Sequence, residues 1–300
     1  MSQDPTDDVQ VFPSTDKGQA VGIVTDSSCD LPRRLIERFK IGVAPLIVRF
    51  GPEEYEDGEL STDEFWEKAA GPYHPYTSQP SVGRFEELYE RLIAEGKQVL
   101  CLTITGKHSG TFNAASLAAQ RFGRTIRVFD SLSLSLGLGL QALVAAQAAQ
   151  AGRSMQEILA LLEDMRDRVR LTIVLDSLEN LRRGGRADAF IAIVDRMTRA
   201  LNIKPVINVV DGQLRLLGAA RSFQGGVRRA LNLVERLGPL EHLAVVHTRR
   251  GEIAKEVADR LAERTGFLRE RIWVAETGAV LASHAGAGVI GVLAVPVSGA

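Results

Sequence analysis

The sequence predicts an α/β fold in two domains, and three observations carry that prediction. Short β-branched apolar runs alternate with amphipathic helices through the first half of the chain. This is the pattern of a parallel sheet covered by helices on both faces. Polar residues gather beyond the C-terminal ends of those runs, at Asp26-Ser27, Ser109-Gly110 and Asp130-Ser131, which is where parallel sheets place ligands. In the second half, Asp211-Gly212 joins two apolar runs as a two-residue hairpin signal. Antiparallel pairing therefore enters, and a mixed α/β domain follows. The expected organisation is a disordered tail over 1–19, an N-terminal α/β domain over 20–160 and a C-terminal α/β domain over 161–300.

In chain order, Ala20–Thr25 reads as a buried strand. Asp30 is expected to cap a helix with Pro32 in its first turn, ending near Phe39. Val43–Phe50 reads as a second strand and Gly51–Gly58 as an acidic turn. Ser61 and Glu64 form a capping-box pattern, as do Ser154 and Glu157. Between them lie a helix from Val82 to about Glu95, a strand Gln98–Thr105, an alanine-rich helix from Phe112, a strand Ile126–Phe129 and an Ala/Leu helix Leu136–Ala151. The second half opens on a strand at Leu171–Leu175 and a short helix at Leu178–Arg183 that Gly184-Gly185 breaks. A helix over Asp188–Ala200, the hairpin, helices at Phe223–Leu237 and Glu252–Thr265, and strands at His242–His247 and Arg271–Glu276 complete it. Val280–Ser283 and Val289–Val295 read as strands flanking His284-Ala285-Gly286-Ala287-Gly288.

Composition excludes several classes of function. A net charge of −1 with mixed signs along 300 residues argues against a general nucleic-acid binder. Cys29 and Cys101 stand alone, so neither a disulfide scaffold nor a zinc ribbon is expected, and a reducing cytoplasm fits. No apolar run approaches the ~20 residues of a membrane helix. No metal is expected, because no HExxH and no carboxylate pair at ligand spacing occurs, and no cofactor is expected either.

Four stretches carry candidate chemistry. In Thr77-Ser78-Gln79-Pro80-Ser81, Pro80 forces Gln79 out of the helical region and Ser81 can cap the helix that follows. Thr77 and Ser78 then sit beside a helix N-terminus, where negative charge is favoured. An ordinary capped loop has the same composition. Ser109-Gly110-Thr111 offers two hydroxyls, an approachable backbone and another helix start, and equally fits a Ser cap with a turn glycine. Gly184-Gly185-Arg186 puts a planar cation suited to carboxylate or phosphate on a double-glycine turn, where a solvated surface arginine is also at home. His284 has the most site-like setting of the five histidines, although a lone histidine is more often structural. Asp26, Ser109 and His284 have the residue types of a hydrolase triad, but the G-x-S-x-G pattern is absent around Ser109. Gly137-Leu138-Gly139-Leu140-Gln141-Ala142 matches a loose dinucleotide pattern, yet lies inside an apolar helix far past its strand.

Taken in order, these stretches resemble the DegV family of bacterial fatty-acid-binding proteins, which includes the FakB subunits of fatty acid kinase. The landmarks are Thr25-Asp26-Ser27-Ser28 with Asp30-Leu31-Pro32, Thr77-Ser78-Gln79-Pro80-Ser81, Ser109-Gly110-Thr111 and Asp130-Ser131. Leu178-Glu179-Asn180-Leu181 with Gly184-Gly185-Arg186, Asn202-Ile203-Lys204-Pro205, Asp211-Gly212, Arg221 and His284-Ala285-Gly286-Ala287-Gly288 follow. The resemblance implies two α/β domains with a long-chain fatty acid buried between them. It implies that Thr77, Ser109, Arg186 and His284 hold the carboxylate, with Asp26, Ser27, Ser78, Gly110 and Thr111 supporting. It also implies a cytoplasmic carrier, not an enzyme, that has no nucleotide site of its own and presents the acid to a separate ATP-dependent kinase that makes an acyl phosphate. The alternative is a serine-dependent hydrolase or transferase on acyl esters or acyl phosphates, with Ser109 as nucleophile and His284 as base. His108 stands where the family usually has an apolar residue, next to Ser109.

A fatty acid suits these residues energetically. Each buried methylene is worth about 0.8 kcal/mol, so a tail of ~15 gives roughly 12 kcal/mol before the cost of immobilising it. The carboxylate is the difficult end, since a buried unpaired charge is very costly, and hydroxyls, backbone N–H groups, Arg and His are the donors it needs.

Overall fold

A computed structural model describes residues 20–186 and 203–299. The expected tail over 1–19 and the expected helix over Asp188–Ala200 lie outside these residues. The chain divides into two compact units. Among the described residues, one runs from residue 20 to Asp167 and takes in Gly278–Val280; the other comprises Arg168–Thr277 with Leu281 onward.

The N-terminal unit is built on a parallel sheet of β1 (Val21–Asp26), β2 (Gly42–Ala44), β6 (Gln98–Thr103) and β7 (Ile126–Asp130), ordered β2-β1-β6-β7. Alternation along the strands sends side chains to two faces. Val24, Ala44, Val99, Cys101 and Ile126 pack with Phe85, Tyr89 and Leu92 of α3 (Val82–Ala94) and with Ala114, Ala115 and Ala118 of α4 (Thr111–Ala119). Ile23, Leu100 and Leu102 are buried on the other face, against which α5 (Leu136–Gln150) lies. Every residue of α5 from Leu136 to Ala149 is buried, and apart from Gln141 and Gln147 the helix is apolar all round, as suits a core helix. Gly139 is what lets α5 approach the turn after β1, because a β-carbon there would overlap the Cys29 carbonyl oxygen. α1 (Arg33–Arg38) follows that turn, α6 (Met155–Arg168) closes the unit, and α2 (Thr62–Ala69) starts on the expected capping box, with Ser61 Oγ and Glu64 exchanging hydrogen bonds.

Three local expectations need correction here. Val43–Phe50 is not one strand: it breaks at Pro45, which has no N–H for a ladder. β2 stays in the parallel sheet, while β3 (Ile47–Phe50) joins a separate antiparallel sheet ordered β4-β3-β5 with β4 (Glu53–Glu56) and β5 (Tyr76–Ser78). The stretch Gly51–Gly58 is therefore a hairpin containing a strand, because a tight turn at Gly51 (φ +58) folds Glu53–Glu56 back on β3. Asp30 does not cap α1; Pro32 holds the cap position, and the Asp30 carboxylate points elsewhere.

The C-terminal unit has a six-stranded mixed sheet of β8 (Arg170–Val174), β9 (Lys204–Val210), β10 (Gln213–Ala220), β11 (Leu240–His247), β12 (Trp273–Glu276) and β13 (Ile290–Pro296). Its order is β10-β9-β8-β13-β11-β12, antiparallel throughout except for the parallel pair β11–β12. Asp211 (φ 50) and Gly212 (φ 74) form the hairpin turn with positive φ at both positions, as the sequence implied. α7 (Glu179–Arg183) ends at Gly184, as expected. α8 (Phe223–Glu235) and α9 (Gly251–Thr265) pack Val227, Leu231, Val234, Val257 and Leu261 against Val174, Val245, Ile290 and Val292 of the sheet. Val280–Ser283, expected as a strand, belongs instead to a helix, α10 (Ala279–Ala285). A short apolar run has no decisive periodicity, and its alanines favour helix.

Candidate functional site

Within the N-terminal unit two of the candidate loops meet. The register Val48↔Thr77 and Ile47↔Ser78 puts Thr77 on the face of buried Val48 and turns Ser78 to the opposite side. Thr77 is half-buried and Ser78 is exposed. Gln79 then runs alongside Gly110: a β-carbon on Gly110 would lie 3.1 Å from the Gln79 amide carbon. The stretch is extended up to Pro80, and Ser81 Oγ accepts from Arg84 N at 3.2 Å to start α3, as Pro80 and Ser81 implied. Ser78, Gln79 and Ser81 line a groove of about 710 Å3 with Ile47, Glu56 and Arg84, on the side away from Thr77.

Ser109, Gly110 and Thr111 form the start of α4. Ser109 Oγ lies 2.8 Å from Thr111 Oγ1 and accepts from Thr111 N at 3.3 Å. Thr111 is fully buried, Ser109 is half-buried, and Gly110 takes the cap position without a side chain. The preceding loop is tied down by Asp130, whose carboxylate accepts from Gly106 N at 3.1 Å and from Leu132 N at 2.9 Å. A hydroxyl pair therefore stands at a helix start, where the partial positive charge of the free N–H groups favours an anion.

Asp26 and Ser27 are placed beneath the loops. Asp26 is completely buried and accepts from Ser28 N at 3.1 Å, from Ser28 Oγ and from Ile104 N at 2.7 Å, which straps the end of β1 to the end of β6. Loss of hydration pushes its carboxyl up to about 6, against the pull of those three donors. Ser27 Oγ donates to Asp57 Oδ2 at 2.7 Å and accepts from Leu46 N at 3.0 Å.

In the C-terminal unit the other two candidates come together. The Arg186 guanidinium donates to the Gly184 carbonyl, and its backbone N–H reaches Leu181 O at 3.0 Å. It is half-buried, and loss of hydration pulls its pKa below the usual arginine value. His284 lies in the last turn of α10, not in a glycine turn between strands. Its ring stands over Gly184, where a β-carbon would overlap His284 Nδ1. The double glycine thus has a role that its sequence did not declare: Gly184 makes room for the imidazole. Gly286 (φ +77) and Gly288 (φ +84) supply the turn that returns the chain to β13.

Asp57, which receives Ser27 Oγ, and Ser135, whose Oγ donates to the Asp30 carboxylate, are not distinguished by the sequence. Asp57 is one acid among several between Glu53 and Glu59, and nothing local distinguishes the one that turns inward. Among the described residues no group of His, Cys, Asp or Glu has the arrangement of a metal site, and no helix is long and apolar enough to cross a membrane.

A family model described as "Uncharacterised protein, DegV family" matches residues 20–297. A DegV domain-containing protein of Deinococcus radiodurans is 34% identical over 285 residues, which are 93% of this chain and 99% of that protein. The structure of a DegV family protein from Thermus thermophilus, described by its fatty acid binding, is similar at a TM-score of 0.82 and 32% identity, covering 93% of this chain and 100% of that one. DegV of Bacillus subtilis, described as a fatty acid binding protein, is similar at a TM-score of 0.81 and 27% identity, again over 93% and 100%.

Proposed function

Because the chain belongs to the DegV family, we propose that it binds a long-chain fatty acid and carries it, chemically unchanged, to a separate ATP-dependent kinase that converts it to an acyl phosphate. Thr77 and Ser109 of the N-terminal unit and Arg186 and His284 of the C-terminal unit are the groups that take the carboxylate. The observation that carries this reading is the pair of clusters just described, each a setting for an anion, in a chain whose relative of known structure from Thermus thermophilus is described as binding fatty acid. The use of ATP by the partner places the carrier in the cytoplasm. Cys29 and Cys101 are both free and buried, and burial pushes both thiols far above their ordinary range, so neither is poised for redox chemistry.

The carrier reading is favoured over a serine hydrolase by the hydrogen bonds of Ser109. Its Oγ accepts from Thr111 N and shares a hydrogen bond with Thr111 Oγ1, an arrangement that presents hydroxyls to an anion. Titration with oleate tests this. Ser109→Ala removes one hydrogen bond to a charged group, about 1.5–3 kcal/mol, and is expected to weaken oleate binding about tenfold or more. Hydrolysis of an acyl ester by the wild type, abolished in Ser109→Ala, would support the hydrolase instead.

Gly184→Ala tests the second cluster. The backbone there (φ −77, ψ −4) accepts alanine, so the substitution acts through the displaced His284 ring. Oleate affinity is expected to fall about tenfold while the melting temperature stays close to that of the wild type. Unchanged affinity would remove His284 from the site.

A further inference from the structure

We propose that Asp30 and Asp57 are positioning residues that fix the start of α10, the helix whose last turn carries His284, and so set where that imidazole stands. The proposal rests on the reading of His284 as a partner of the ligand carboxylate. α10 is seven residues long, too short to hold its shape alone. Its first N–H groups have no partners within the helix, and the residue before it, Gly278, has no side chain to serve as a cap. Two acids from the other end of the sequence take that role. Asp30 Oδ1 accepts from Gly278 N at 2.9 Å across 248 positions of sequence. Asp57 Oδ1 accepts from Val280 N at 3.4 Å across 223 positions, and the Ala279 N–H also reaches the Asp57 carboxylate. Gly278 lies between them, with a β-carbon there standing 3.4 Å from Asp57 Oδ1 and 3.6 Å from Asp30 Oδ1.

Both acids are themselves held. Asp57 receives Ser27 Oγ at 2.7 Å, Leu46 N backs that hydroxyl at 3.0 Å, and Asp57 N donates to Leu46 O at 2.8 Å. Asp30 receives Ser135 Oγ. Asp30 (φ 50) and Ser135 (φ 54) both sit in the left-handed region, a costly backbone for residues other than glycine and one that persists where surrounding contacts demand it. Asp57 binds its proton more tightly than an ordinary aspartate because it is desolvated, so an adjacent side chain facing water would have capped the helix at lower cost. What two fixed carboxylates add over such a cap is a defined position and axis for a short helix, and with it a defined position for the side chain in its last turn.

Hydrogen exchange on the full chain, paired with oleate release, tests this. In Asp57→Ala, the amides of Ala279 and Val280 are expected to exchange at least about tenfold faster, while the Ile104 amide, held by Asp26, keeps its protection. Oleate release is expected to quicken in Asp57→Ala and in His284→Ala, and the double variant to release no faster than His284→Ala alone. Asp57→Asn keeps one acceptor oxygen and is expected to fall between wild type and Asp57→Ala, which also serves should the alanine variant not fold. Unchanged exchange at 279 and 280, or additive effects of the two substitutions on release, would overturn the proposal. If the wild type takes up no oleate, the fatty-acid reading fails by itself. The exchange measurement then decides alone: local loss of protection at 279 and 280 supports the hold of Asp57 on α10, and unchanged protection overturns it.

Discussion

Gly139→Ala is expected to lower the stability of the protein by about 2–3 kcal/mol, against the usual gain of about 1 kcal/mol when alanine replaces glycine inside a helix. The reason is steric. The added β-carbon would overlap the Cys29 carbonyl oxygen and press on Leu31 Cγ at 3.1 Å. The first obstacle is backbone, which cannot rotate away as a side chain can, and α5 is surrounded by core on all sides, so it has nowhere to retreat. Thermal unfolding checks this, with a melting midpoint lowered by several degrees. A midpoint at or above the wild-type value would mean that α5 does not pass this closely over the turn after β1.

Asp26→Ala is expected to cost about 3 kcal/mol near pH 4, because it removes the acceptor of three donors, two of them backbone N–H groups. The cost should shrink as pH rises, and the sign follows from linkage. The Asp26 carboxyl is raised from 3.8 to about 6, so the folded protein holds its proton through a range where the unfolded chain has released it. Stability associated with the protonated form is complete below about pH 4 and is lost as pH climbs through 6, by roughly 3 kcal/mol for this shift. The variant lacks that loss. The gap between wild type and Asp26→Ala should therefore be widest near pH 4, narrower at pH 5 and narrowest at pH 8, measured by denaturant unfolding at the three values. A gap that widens with pH would show that the three donors outweigh burial and hold Asp26 as a low-pKa anion.

What the sequence made legible was local. Ser61 with Glu64 and Ser154 with Glu157 are reciprocal caps within one helical turn, and both occur as the spacing implied. Asp211-Gly212 specifies its own turn through two positive φ values. Pro80 and Ser81 settle the path of the chain into α3. Elements whose state depends on distant partners were not legible. Val43–Phe50 reads as one apolar run, but Leu46, the residue after Pro45, gives its N–H to Ser27 and its carbonyl to Asp57, so the chain leaves one sheet for another. Val280–Ser283 reads as a strand, while the helix it belongs to begins on acids more than two hundred positions away.

The candidate site divides the same way. The Ser109–Thr111 hydroxyl pair at a helix start is local and could be read directly. The meeting of Gln79 with Gly110, and of His284 with Gly184, is tertiary. In both cases a glycine marks the approach, yet a sequence does not say which side chain fills the space that a glycine leaves.

The most direct test of the proposed function is to find out what the protein carries. Purified protein is denatured, extracted, and the extract analysed by mass spectrometry. The expected result is a long-chain fatty acid in a ratio approaching one per chain and chemically unchanged. An extract without lipid, together with no binding of added oleate or palmitate, would contradict it.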